Sequence, residues 1–195
     1  MVGDKRENGL AIGLVHSLDD PDGLGRVKVT YPHLEDQVSH WCRLVAPFAG
    51  GERGAFFRPE VGDEVLVAFE HGDPRQPYVL GGVWSKTDPP PPDDGDAKEN
   101  NWRFIRSRSG HLIKLDDTAG AELIEITDGS ESNRVVIDTA NRKIRVESDQ
   151  GDVEVRAPRG TVKIEATTIE IKATGSASLE AGGTLTLKGA TVNIN

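Results

Sequence analysis

From Ile144 to Ile194 the chain repeats one device: two apolar residues separated by a single residue, returning about every eight positions. The pairs are Ile144/Val146, Val153/Val155, Val162/Ile164, Ile169/Ile171, Ala177/Leu179, Leu185/Leu187 and Val192/Ile194, and their first members lie 9, 9, 7, 8, 8 and 7 residues apart. Alternation of this kind is the periodicity of a strand with one buried face. A strand of three or four residues cannot hold itself together, so the repeat can only be a stack in which each level covers the next. Glycines at 151, 160, 175, 182, 183 and 189 fall between the pairs, where the chain must turn. No Phe, Tyr or Trp follows Phe104, so the stack encloses a thin core with room only for Val, Ile, Leu and Ala. A narrow, repetitive column points to a rigid shaft and not to a catalyst.

Three architectures satisfy the repeat. A single-chain β-helix with about three strands per coil would have little more than two coils from seven strands. An antiparallel meander would leave its apolar face half open. A trimer, in which three chains wind round one axis and share the core, is closed from its first level. The charged positions favour coiled, parallel stacking over a meander, and in a trimer the strand above comes from a neighbouring chain. Arg145, Glu154, Lys163 and Glu170 lie between the apolar pairs, and Glu147, Arg156, Glu165 and Lys172 follow them; both series alternate in sign, and Glu180 and Lys188 continue the second. Parallel stacking sets opposite charges one above another throughout. Folding the first two strands as a hairpin sets Glu147 against Asp152 and Lys143 against Arg156. Cross-strand pairs contribute or cost roughly 0.2–1 kcal/mol each, so an inter-chain charge ladder is expected. The expected trimer core is Ile144, Val146, Val153, Val155, Val162, Ile164, Ile169, Ile171, Leu179, Leu185 and Leu187.

Upstream the pattern changes. Leu10–Val15, Gly25–Tyr31, Trp41–Ala46, Val65–Phe69 and Tyr78–Trp84 read as five short strands bounded by turn signals such as Asp20-Pro21-Asp22-Gly23 and Gly72-Asp73-Pro74. Five strands in this length suit a small OB-type barrel. The expected organisation is an OB-fold domain over 1–85, a Pro/Asp-rich linker over 86–101 containing Pro89–Pro92 and Asp93-Asp94-Gly95-Asp96, and a spike over 102–195. Strands are also expected around Leu112–Leu115, Leu123–Ile126 and Val135–Ile137. The fold class is all-β: an OB barrel followed by an intertwined trimeric β-helix.

Charge and composition exclude several classes. Residues 1–101 carry 10 Lys/Arg against 18 Asp/Glu, a net of −8, and residues 102–195 carry 13 against 14, a net of −1. Neither half offers the basic face that nucleic acid requires. The charged segment Met1–Glu7 precedes no long apolar run, so no secretory signal peptide is expected. The lone Cys42 cannot form an intrachain disulfide and fits synthesis in a reducing compartment. No two of His16, His33, His40, His71 and His111 have the spacing of a helical zinc site. Asp19-Asp20 and Asp116-Asp117 lie in turn-like sequence. No catalytic residue, metal site or cofactor is expected, and the chain is read as a non-enzyme.

Gly25-Arg26-Val27-Lys28-Val29, Trp41–Pro47, Phe57–Val67 and Gly72–Gly81 together resemble the OB domain of contractile-injection spike proteins, the family of phage baseplate assembly protein V and VgrG. Ser107–His111 with Leu115–Thr118 and Glu125-Ile126 resembles the segment that opens their β-helical needle. The resemblance implies a homotrimeric spike at the tip of a tube, within a phage tail or phage-like particle baseplate. A contracting sheath would drive it through a target membrane, which it meets only by puncture. It would be synthesised and assembled in the bacterial cytoplasm. Few residues precede the barrel, so the resemblance implies a separate hub protein at the tube end. The linker leaves no room for a lysozyme domain. No histidine follows His111 to build a metal-bound apex, and a blunt end at Val192 and Ile194 is expected to contact a PAAR-type tip protein, alongside other baseplate proteins. The alternative is an adhesive or carbohydrate-binding fibre tip, which would want aromatics near its distal end.

Overall fold

The computed structural model describes residues 9–92 and 98–194. Met1–Glu7, Asp93-Asp94-Gly95-Asp96 and Asn195, used above, lie outside the described residues. Among the described residues the regular structure is all β apart from two short 3-10 turns: β1 (Leu10–Ser17), β2 (Lys28–Tyr31), β3 (Gln37–Val38), β4 (Arg43–Leu44), β5 (Ala49–Gly50), β6 (Arg53–Gly54), β7 (Glu64–Phe69), β8 (Pro77–Gly82), β9 (Trp102–Arg106), β10 (Leu112–Asp116), β11 (Leu123–Thr127), β12 (Asn133–Asp138) and β13 (Lys143–Ser148).

The first sheet runs β3-β2-β1-β7-β8-β4. β4 lies parallel to β8, and an antiparallel bridge between Val27 and Cys42 joins the start of β2 to the start of β4. That bridge closes the sheet on itself, giving the five-stranded OB barrel the strand pattern predicts. Bulges between Val15 and Ser17 and between Leu66 and Val67 supply the bends that closure needs. The inward residues of the alternating strands form a valine-rich core: Val15, Val27, Val29, Val65, Val67 and Val79, with Ala11, Tyr31 and Cys42. Gly13 faces inward on β1, where a Cβ would lie 3.1 Å from the Val29 side chain, so only glycine lets β1 and β2 approach so closely.

The loop between β1 and β2 is organised by Asp20, whose side chain is almost fully buried. Its carboxylate accepts the backbone N–H groups of Leu24 (3.0 Å) and Arg26 (3.1 Å) and the Arg26 guanidinium at 2.6 Å. This is the turn signal Asp20-Pro21-Asp22-Gly23 expressed as chemistry: a short acidic side chain satisfying its own loop's donors.

The second sheet is an antiparallel meander, β9-β10-β11-β12-β13. Each of its four hairpin loops holds one left-handed residue, Gly110, Gly120, Glu131 and Arg142 in turn, as short hairpin connections demand. From 149 to 194 the single chain forms no strand, and residues 153–194 are exposed. Ile144 and Val146, the first pair of the repeat, therefore belong to β13 and pair antiparallel, and the octads that follow have no partner within their own chain. The open-faced meander and the unpaired octads occupy successive stretches of one chain.

Candidate functional site

A sheet in a single chain normally buries its apolar face. The meander does the reverse. Strand register places Ile105, Ile113, Ile126, Val135 and Val146 in one row across the five strands. It places Arg103, Leu115, Ile124, Ile137 and Ile144 in the next. Every apolar member of both rows is exposed, from Val135 at 39% to Ile144 at 71%. The result is an apolar stripe two residues wide, broken by one charge, Arg103, at its β9 end.

The opposite face carries the charges and is the covered one. Lys114, Thr127 and Val136 are buried there. The Lys114 ammonium sits 3.1 Å from Glu125, 3.7 Å from Asp116 and 4.2 Å from the centre of the Trp102 ring. Burial pushes the Asp116 carboxyl up, but hydrogen bonds from the Thr118 hydroxyl (2.6 Å) and backbone N–H, with the Lys114 charge, hold it below the ordinary carboxylate value. Glu125 shows the same contest: burial raises it, and Lys114 and Thr127 bring it down. Arg134 spans Glu147 (3.2 Å) and Asp149 (3.0 Å). The charges of the polar face are thus paired within one chain, although the Nε atoms of Arg134 and Arg145 lack a hydrogen-bond partner there, and the apolar face is left open.

The expected core residues continue the stripe. Ile144 and Val146 lie opposite Ile137 and Val135. Val153, Val155, Val162, Ile164, Ile169, Ile171, Leu179, Leu185 and Leu187 are all exposed, as are Val192 and Ile194 at the expected tip contact. The single chain does not bring them together. The ladder residues pair within their own repeats: Arg145 with Glu147 (3.6 Å), Arg156 with Glu154 (3.3 Å) and Lys163 with Glu165 (2.9 Å). The order within each pair reverses from one strand to the next, and Glu170/Lys172 continues the reversal, so parallel stacking of these strands forms a checkerboard of opposite charges.

Sequence patterning predicts strands in the upstream half of the stripe, but not the apolar face they share. Its signal was present: Ile113/Leu115, Ile124/Ile126 and Val135/Ile137 are the same spaced pairs, at intervals of 11 residues instead of eight. The longer interval reflects the hairpin loops.

The groups considered for catalysis have structural employment. Cys42 is fully buried in the barrel core; burial pushes its thiol up, away from the reactive thiolate. His111 Nδ1 accepts the Gly129 N–H at 3.0 Å in the meander. His33 stacks edge-on against Tyr31. A broad trough beside the barrel is lined by Arg26, Trp41, Arg43, Phe48, Phe56 and Tyr78. Of its cations, Arg26 is engaged by Asp20 and Arg43 by the Tyr78 hydroxyl at 3.0 Å.

Residues 11–84, which span the barrel, match the family described as the type VI secretion system/phage-baseplate injector OB domain. The chain is also similar to VgrG spike proteins. It is 32% identical to the type VI secretion system spike protein VgrG3 of Vibrio cholerae over 111 residues, 53% of this chain and 11% of that protein. It is 32% identical to the actin cross-linking toxin VgrG1 of the same species over 53% of this chain and 10% of that protein. To the spike protein VgrG1a of Pseudomonas aeruginosa it is 29% identical over 116 residues, 54% of this chain and 18% of that protein. The chain thus matches between a tenth and a fifth of the length of these relatives.

Proposed function

We propose that this chain is the central spike of a contractile injection machine: a homotrimeric needle at the tube tip, assembled in the bacterial cytoplasm as part of a phage tail or phage-like particle and driven through a target membrane. One observation carries the reading. The two-residue apolar stripe begins on the exposed face of β9–β13 and runs on through the octads to Ile194, so a single chain leaves its own core open to water. Burying one Val, Leu or Ile contributes about 1.5–3 kcal/mol, and three chains facing a common axis would bury all of them.

The role is mechanical. A tip under load fails at its unfolding rate, and strands shared among three chains cannot leave one at a time. The outward apolar residues of β1, Leu10, Ile12 and Leu14, are exposed on the barrel and suit docking onto a hub at the tube end. Val192 and Ile194 would meet a PAAR-type tip protein. The similarity to VgrG spike proteins supports the same role.

Mass measurement in native buffer tests this. A species near three times 21.1 kDa that survives SDS without boiling is expected. A monomer at all concentrations overturns it.

A further inference from the structure

The two halves of the stripe differ in what they can do alone. β9–β13 pair with one another inside one chain, in register across all four hairpins, with only the outer edges of β9 and β13 left open. Their charged face is ion-paired within the chain, by the Lys114, Glu125 and Asp116 cluster and by Arg134 with Glu147 and Asp149. Residues 153–194 have neither partner strands nor buried side chains. A strand of three or four residues without a neighbour fixes its backbone and gains no hydrogen bond in return, so it cannot precede its partners.

We infer that the apolar face of β9–β13 is the surface on which three copies of this chain first recognise one another, and that the strands of 153–194 form afterwards, level by level from Val153 toward Ile194. The inference rests on the spike reading above and adds an order to it. The occupant of the face is a second copy for two reasons. The face is two rows of branched apolar residues repeating at the ~4.8 Å spacing of paired strands, and a second copy of it matches that interval over the same length and the same five strands. In sequence the rows also run on into the octads, whose exposed apolar pairs require partners too. Once three sheets meet, the segments after Ser148 are held at high effective concentration. Each completed level then presents the edge on which the next can pair. Arg103, tied to Asp117 at 2.7 Å, ends the stripe at β9 with a charge and so fixes where the contact begins.

The test is refolding of the full chain from denaturant, followed by pulsed hydrogen exchange with peptide resolution and by native mass. Protection over 112–148 is expected first, at a rate independent of protein concentration. Trimer mass should appear next, at a concentration-dependent rate, and protection should then spread from 153 to 194. Ile126→Asp should slow trimer formation at least tenfold, whereas Ile194→Asp should leave that rate within about twofold. Should Ile126→Asp fail to protect 112–148, Ile126→Thr keeps a strand-compatible shape and should slow trimerisation about threefold with protection of the sheet intact. Protection of 153–194 before 112–148, or Ile126 variants that trimerise at the wild-type rate, overturns the order while leaving the spike reading in place. A wild-type chain that never trimerises overturns both.

Discussion

Ile144 sits directly opposite Ile137 across the β12–β13 pair, and both remain open to water. The contact marks the join between two kinds of strand. Ile137 closes a hairpin within its own chain, and Ile144 is the first member of a series that has no such closure. An apolar residue exposed singly needs no explanation. A stripe two residues wide that follows strand register over five strands and then persists for six more repeats is a surface built for partners.

Val162→Asp or Ile164→Asp should abolish assembly. Either substitution sets three carboxylates round one axis, without cations to pair them, at a cost of several kcal/mol. Native mass is the readout, and soluble trimers of either variant would contradict a shared core at this level.

Exchanging Lys163 and Glu165 separates the two arrangements open to the charges. The double variant Lys163→Glu/Glu165→Lys keeps composition, net charge and the contact within the strand, which is 2.9 Å in the single chain. Under parallel stacking it places a carboxylate at position 163 between Glu154 and Glu170, and an ammonium at position 165 between Arg156 and Lys172. Each like-charged neighbour costs roughly 0.2–1 kcal/mol, repeated in three chains. A lower SDS-dissociation temperature is expected, with partial recovery in high salt for trimers dissociated by heat alone. Identical dissociation of variant and wild type would mean that the charges pair only within their strands.

The barrel was legible because its cues are local: alternating strands with Asp-Pro-Asp-Gly and Gly-Asp-Pro turns; apart from Tyr31 its aromatics are not the core, since Phe48, Phe56, Phe57 and Trp84 are exposed. Even there, β4 shrank to Arg43–Leu44 and a bridge at Cys42, because closure of a small barrel uses only a short parallel contact with β8. The apolar pairs past Ile144 were legible as a repeat. The meander was legible as strands at Leu112, Leu123 and Val135 but not as a self-contained sheet. In Leu112-Ile113-Lys114-Leu115 both strand phases carry apolar residues, so sequence alone does not say that Lys114 is the buried one. Register decides it: Lys114 lies opposite Phe104 and Glu125, where Trp102 and two carboxylates receive its charge.

Gly129→Ala should destabilise the meander by about 1–3 kcal/mol. A Cβ at this position would collide with the Ser109 carbonyl oxygen, forcing apart the loop that His111 closes through the Gly129 N–H. Overpacking against backbone costs about this much because neither side can rotate away. Exchange protection at 112–127 is the measurement. A loss confined to these amides, with the barrel unchanged, is the expected result, and unaltered protection would show that the loop has room to shift.

Acid should unfold the barrel partly through Asp20. The Arg26 guanidinium beside it, with the backbone N–H groups of Arg26 and Asp22, holds its carboxyl well below the ordinary value of 3.8 in spite of burial. Arg75 likewise holds Asp73 at about 2. A carboxyl with a depressed value in the folded state binds fewer protons there than in the unfolded chain. Its contribution is therefore complete above about pH 4 and is lost as pH falls from there toward and below 2. Asp20→Asn removes the contribution at every pH. The variant should melt below wild type at pH 7, and the gap between the two melting temperatures should narrow below pH 4. A gap that stays constant down to pH 2 would assign the role of Asp20 to its hydrogen bonds with the loop and not to its charge.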